Sequence, residues 1–283
     1  MFCGMLVLTA TGIAPAGDLP SAKRCLVVAH RGFSKIAPES TLVAAAKAVE
    51  AGADGSEFDI YPSSDGILVV MHNPTVDKTT DRTGKVTDLS LAEIKKLDAG
   101  VWKDPQFAGE RVPTLDEMLA LLRLTPCKPV IEIKADGITD EVAVDVARKV
   151  VAAVRSARMV DRAYVISFHR DAVKTVRMLE PRLPCALLCN IKQMPAGLSP
   201  DESVDWLAKA AAECRTDFLD LHNSLLTADI VAKLHRQKLT VWTYTVDDQE
   251  TMDKLIGWEV DGITTDCPDL LKSRVDEAAR EHK

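Results

Sequence analysis

Short apolar, β-branched runs alternate with amphipathic stretches along nearly the whole chain, and this rhythm limits the possible folds more than any other feature. Strands are expected at 25–29, 56–61, 129–134, 163–167, 185–189, 217–221, 240–244 and 261–265. Helical patterns fill the gaps at 41–51, 114–123, 139–156, 170–180, 201–214, 227–237, 248–257 and 267–280. Repeated strand–helix units imply parallel strands joined by crossovers, so the sheet carries helices on its face. Eight such units fit a closed (β/α)8 barrel, the TIM-barrel class, better than an open sheet, and 283 residues suit one barrel. No GxGxxG follows the first strand, so a dinucleotide fold has no support.

One interval breaks the rhythm. Between the second and third strands, from Ile60 to Pro129, lie an extended piece (67–73), the segment TVDKTTDRTG, a short helix at about 90–98 and VWKDPQFAGERVP. It reads as an insertion of about 55 residues after the second strand, centred on about 74–112, with no core of its own. It therefore belongs to a single domain over 22–283, and its place after a barrel strand puts it on the face where barrels keep their sites.

Composition excludes several functions. A net charge of −7 argues against a nucleic-acid binder, which normally shows a basic surface. Seven cysteines lie scattered, without a CxxC pair, and read as free thiols inside apolar runs. Residues 1–21 are apolar over too short a stretch to span a bilayer, so no stable membrane insertion is expected. They resemble a signal peptide ending at Ala14-Pro15-Ala16 but lack a basic start, and so read equally as a disordered leader. The protein is secreted or periplasmic if residues 1–16 are a signal and cytoplasmic otherwise.

The candidate chemistry sits at strand ends. Glu57 and Asp59 are two residues apart on a strand, so both side chains leave the same face. Glu132 and Lys134 repeat this spacing on the third strand. Buried carboxylates gathered in one barrel need a compensating cation. Three such oxygen donors suit a hard divalent ion, Mg²⁺ or Ca²⁺. His30 ends the first strand and His72 the extended piece after the second, a placement suited to general acid and base work. Arg31 offers a planar fork for phosphate and Lys134 a point charge. His169 is a weaker pocket candidate, and His222 and His235 read as surface or structural.

Taken together, these residues resemble the glycerophosphodiester phosphodiesterase family. The resemblance rests on His30-Arg31-Gly32, Pro38-Glu39-Ser40-Thr41, Gly52-Ala53-Asp54-Gly55-Ser56-Glu57-Phe58-Asp59, Val69-Val70-Met71-His72-Asn73 and Glu132-Ile133-Lys134. TTDRTG, VPTLDEML, VWTYTVDD and DGITTDCP extend it over about 25–272. It implies a TIM barrel, one divalent cation, and hydrolysis of a small glycerophosphodiester to sn-glycerol 3-phosphate and an alcohol. It further implies that His30 and His72 are the acid–base pair, that Glu57, Asp59 and Glu132 bind the metal, and that Arg31 and Lys134 hold the phosphate. By the same resemblance Glu39 orients a neighbour or contacts glycerol, and Trp242 lines the glycerol pocket.

Two positions depart from the family pattern. Ser40 replaces an Asn, and as a serine it is expected to cap the helix that follows. Asn73 replaces an Asp and removes a negative charge beside His72. A phospholipase D-like phosphodiesterase acting on sphingomyelin or lysophospholipids shares the His-Arg start and the Glu-x-Asp strand, but the long insertion and Glu132-x-Lys134 favour the first reading. A non-catalytic phosphodiester-binding barrel would be expected to lose a histidine or a carboxylate, and all five are present.

Overall fold

The computed structural model describes residues 24–281. The signal-peptide expectation for residues 1–16 lies outside this range. In chain order the elements are β1 (Leu26–Ala29), α1 (Leu42–Glu50), β2 (Gly55–Pro62), β3 (Leu68–Val70), α2 (Leu91–Ile94) and α3 (Leu115–Arg123). There follow β4 (Lys128–Ile133), α4 (Asp140–Ser156), β5 (Tyr164–Ser167), α5 (Arg170–Leu179), β6 (Cys185–Cys189) and α6 (Pro200–Glu213). The chain ends with β7 (Phe218–His222), α7 (Ala228–Arg236), β8 (Thr240–Tyr244), α8 (Gln249–Gly257), β9 (Gly262–Thr265) and α9 (Pro268–Glu281). Side-chain oxygens of Thr41, Thr114, Thr139, Ser199 and Thr227 accept amide hydrogen bonds at the starts of α1, α3, α4, α6 and α7. Caps of this kind fix helix starts and make them legible in sequence.

Pairing runs β1-β9-β8-β7-β6-β5-β4-β2, and β1 also pairs with β2, so eight parallel strands close on themselves. Closure leaves no edge, and strand alternation then splits the apolar residues into two populations. Val27, Ala29, Ile131, Ile133, Val165, Leu219 and Val241 point outward into the shell of helices. Val28, Val130, Ile166, Leu188, Phe218 and Trp242 point inward and plug the barrel. Six described cysteines, Cys25, Cys127, Cys185, Cys189, Cys214 and Cys267, are buried free thiols, as expected from their apolar settings.

After β2 the chain turns back as β3, antiparallel to it, with Ile60 opposite Val70. The segment that follows does have an apolar cluster, contrary to expectation: Val76, Val86, Ile94, Leu97, Ala99 and Val112 are buried together. The cluster is completed by Tyr61, Val69 and Met71 from the β2–β3 hairpin, so the segment is anchored on the barrel. Its apolar residues are too widely spaced for any one periodicity to show them, which is why the sequence conceals the cluster.

Ser40 behaves differently from expectation. Thr41, and not Ser40, caps α1, its hydroxyl accepting from the Ala44 amide at 3.2 Å. Ser40 itself has φ 61°, and its buried hydroxyl has no hydrogen-bond partner among the described residues. The left-handed backbone costs a non-glycine residue about 1–2 kcal/mol, and asparagine tolerates it better than serine. Ser40→Gly relieves the backbone cost and deletes an unpaired buried hydroxyl, while glycine loses some unfolded-state advantage. A net gain of about 1 kcal/mol is expected in urea unfolding. Equal or lower stability of Ser40→Gly would show that the loop is not strained there.

Candidate active site

Strand register assembles the acidic cluster. Asp59 on β2 lies beside Glu132 on β4, both inward, and Glu57 is one inward step below Asp59. One carboxylate oxygen from each of the three lies within 4.8 Å of the others. All three side chains are buried, and among the described residues Glu57 Oε1 and Asp59 Oδ2 have no hydrogen-bond partner. Burial, then the charges of Asp59 and Glu132, raises the Glu57 pKa well above the carboxylate range. Burial, then Asp59, pushes Glu132 up to about 7 against the pull of Lys134. Burial would raise Asp59 as well, but Lys134, His72, Arg31 and His30 outweigh it and hold Asp59 low. A convergent set of hard oxygen donors whose charges are under-compensated fits a divalent cation.

The cationic residues lean on this cluster. Lys134 Nζ lies 2.9 Å from Glu132 Oε1 and 3.2 Å from Asp59 Oδ1. Arg31 Nη1 donates to Glu39 Oε1 at 2.9 Å, and its Nε lies 3.8 Å from Asp59 Oδ2. Glu39 thus holds the Arg31 fork in place, which gives this position a geometric role. The turn after β1 is equally constrained. The Arg31 amide donates to Glu57 Oε2 at 2.9 Å, with Arg31 at φ 54° and Gly32 at φ 77°. A Cβ on Gly32 would lie 2.5 Å from the Ala44 carbonyl carbon, so only glycine lets the loop pass α1.

Both candidate histidines sit at strand ends. The His30 amide donates to the Thr265 carbonyl at 2.8 Å, continuing the β1–β9 pairing by one residue. His30 Nδ1 lies 2.7 Å from Asp266 Oδ1, a partner 236 residues away that motif reading did not single out. His72 follows Met71, whose amide donates to the Asp59 carbonyl at 2.9 Å. His72 Nδ1 donates to Asn73 Oδ1 at 3.0 Å, so the amide keeps the bond but supplies no charge. Burial lowers the His72 pKa, against the attraction of Asp59.

Trp242 is not brought to this group. It is 2% exposed, with ring centroids 4.9 Å from Tyr164 and 4.8 Å from Phe218, and its indole lies against the Gly262 backbone. It is part of the inner plug, so the expectation that it lines a glycerol pocket is not met. Alternation along β8 puts Tyr244 two residues nearer the strand's C-terminal end, where its ring meets Phe168 and His222 edge-on. His169 lines a recess and caps α5, its Nδ1 accepting from the Ala172 amide at 3.2 Å. His222 caps a short 3-10 turn, and His235 pairs with Asp261 at 3.0 Å.

Asp220 was missed. It faces inward from β7, 1% exposed, and neither carboxylate oxygen has a hydrogen-bond partner among the described residues. Burial, then Glu132, raises its pKa well above the usual value. Its sequence signal is an acidic residue at the inward parity of the apolar run DFLDL.

Two recesses open around these residues, and of the three carboxylates only Glu132 borders one of them. One, of about 520 Å³, is bordered by His30, Arg31, Glu39, Trp102, Lys103 and Asp266. The other, of about 510 Å³, is bordered by Glu132, Asp136, Asp140, Phe168, His169 and Asn190. No helix among the described residues is long and apolar enough to cross a membrane.

Comparison with known proteins points the same way. Residues 30–270 match the glycerophosphoryl diester phosphodiesterase family. A glycerophosphodiester phosphodiesterase of Caldanaerobacter subterraneus is 35% identical over 252 residues, covering 88% of this chain and 96% of that protein. One from Bacillus subtilis is 31% identical over 279 residues, covering 94% and 91%. The structure of an Oleispira antarctica phosphodiesterase in complex with its product, sn-glycerol 3-phosphate, superposes with a TM-score of 0.78. It is 26% identical and covers 89% of this chain and 96% of its own.

Proposed function

The chain belongs to the glycerophosphoryl diester phosphodiesterase family, and we propose that it hydrolyses glycerophosphodiesters to sn-glycerol 3-phosphate and an alcohol, using one divalent cation and two histidines. The observation that carries this reading is the buried carboxylate triad, in which Glu57 Oε1 and Asp59 Oδ2 lack a hydrogen-bond partner among the described residues, flanked by His30 and His72. Glu57, Asp59 and Glu132 would hold Mg²⁺ or Ca²⁺. When bound, such an ion supplies Lewis-acid neutralisation of charge on the phosphoryl oxygens.

The chain's own groups supply the rest. A phosphodiester is anionic and resists nucleophilic attack, so fixed positive charge at the phosphate lowers the barrier most where charge builds up. The Arg31 guanidinium, held by Glu39, and the Lys134 ammonium supply it. Each histidine has its Nδ1 occupied by a neighbour, which leaves Nε2 for proton transfer. One takes the proton of the attacking hydroxyl and the other returns one to the departing alkoxide. The attacking group is water or the substrate's own glycerol 2-hydroxyl, the latter requiring hydrolysis of a cyclic phosphate afterwards.

The test is release of glycerol 3-phosphate from a panel of glycerophosphodiesters, with lysophospholipid micelles alongside, in Mg²⁺ or Ca²⁺ and in chelator. Cation-dependent release from water-soluble diesters is expected. Faster turnover of the micelles, or release unaffected by chelator, would overturn the proposal.

A further inference from the structure

The two histidines are buttressed differently, and the difference involves the C-terminal motifs VWTYTVDD and DGITTDCP, which the proposed chemistry leaves unused. Parallel pairing of β1 with β9 sets Ala29 beside Thr265, so the next residues, His30 and Asp266, leave the barrel side by side. Asp266 Oδ1 lies 2.7 Å from His30 Nδ1 and also accepts from Ser34 Oγ at 2.8 Å. Asp266 is itself fixed from behind: Asp247 Oδ1 accepts from the Asp266 amide at 2.7 Å and from Thr265 Oγ1 at 3.0 Å. The last Asp of TTD and the first Asp of VDD therefore form one frame around a ring near the other end of the sequence.

We infer that Asp266 is a positioning residue for His30, holding the proton on Nδ1 and presenting Nε2 as the nitrogen that exchanges protons during the reaction. Burial would raise the Asp266 pKa, but the hydrogen bonds from His30 and Ser34 and the charges of His30 and Arg31 outweigh it and keep the carboxylate ionised. An ionised carboxylate can only accept, so the proton between the two must sit on the ring. The partner of His72 Nδ1 is instead the neutral Asn73 amide. The geometry thus makes the two histidines unequal.

The inference rests on the acid–base reading of His30, and the experiment separates the two. Asp266→Asn removes the charge at nearly constant shape, and Asp266→Ala removes the bond. With glycerophosphocholine as probe and cation present, each is expected to lower kcat by about 10–100-fold, as loss of orienting partners typically does, with little change in KM. In ring-¹⁵N-histidine-labelled protein, the His30 signals of Asp266→Ala should move from a pure Nδ1–H pattern to a tautomer mixture. Unchanged kcat in either variant, a loss confined to KM, or unaltered ring signals in Asp266→Ala would overturn the inference. If His30→Ala itself keeps its activity, the acid–base reading of His30 fails first, whatever the Asp266 variants do. Asp266→Asn decides the kcat and KM arm even if Asp266→Ala does not fold.

Discussion

Replacing His30 or His72 with alanine is expected to reduce kcat by about 10²–10⁴-fold, the usual contribution of a positioned acid or base. The fold should survive in both cases. His30 directly follows β1 and His72 lies two residues past β3, and neither belongs to the apolar clusters of the barrel or of the segment after β3. His30 leaves behind Asp266, which retains Ser34 as a donor, and His72 leaves only a surface-proximal amide. Melting midpoints close to wild type, with normal cation-induced stabilisation, would show that chemistry and not folding was removed. Burial holds the His72 pKa below its ordinary value, so near neutral pH this ring is mostly uncharged and can accept a proton. Near-normal turnover of either variant with cation bound would strike that residue from the mechanism.

The barrel itself was legible because its signals are local. Strand alternation, threonine and serine caps and short connections each act within a few residues, and together they placed all eight barrel strands and their helices to within about two residues. The acidic cluster was legible for the same reason. An i, i+2 spacing on a strand decides which side chains share a face, so Glu57, Asp59, Glu132 and Lys134 were recognisable before β2 and β4 were known to pair. What stayed hidden depends on closure. Asp266 meets His30 only because the last strand returns to the first, and no window of sequence contains that pairing. The height of Trp242 within the plug follows from strand stagger around a closed barrel, which composition does not encode. Ser40 was misread because a serine before a helix looks like a cap, whereas its left-handed backbone is a property of the loop path past α1.

The metal-free protein is expected to lose stability as pH rises from about 4.5 to about 7, and Glu132→Gln should abolish much of that loss. Glu132 has its pKa raised from 4.5 to about 7 by burial and by Asp59, with Lys134 only partly offsetting them. A carboxyl raised in the folded state favours the fold while protonated, and the fold weakens once the unfolded chain ionises more readily than the native one. The stability is therefore greatest below the unfolded value and declines through the folded one. A shift of this size corresponds to an effect on the order of 3 kcal/mol, since one pKa unit is about 1.4 kcal/mol. Glutamine keeps the shape and removes the charge, so in chelator at pH 8 the variant should unfold no more readily than wild type. A bound divalent cation offsets the same repulsion, and mass action gives wild type about 2.7 kcal/mol at a hundredfold excess over Kd. Glu132→Gln has one charged donor fewer, so it should gain less from added Mg²⁺ or Ca²⁺ and lose most of its activity. Thermal melts of both proteins across a cation titration, repeated at pH 5 and pH 8, separate the two effects. Equal cation-induced stabilisation of wild type and Glu132→Gln would mean that Glu132 is not a ligand, and the site would have to be built on Glu57 and Asp59 with some other donor.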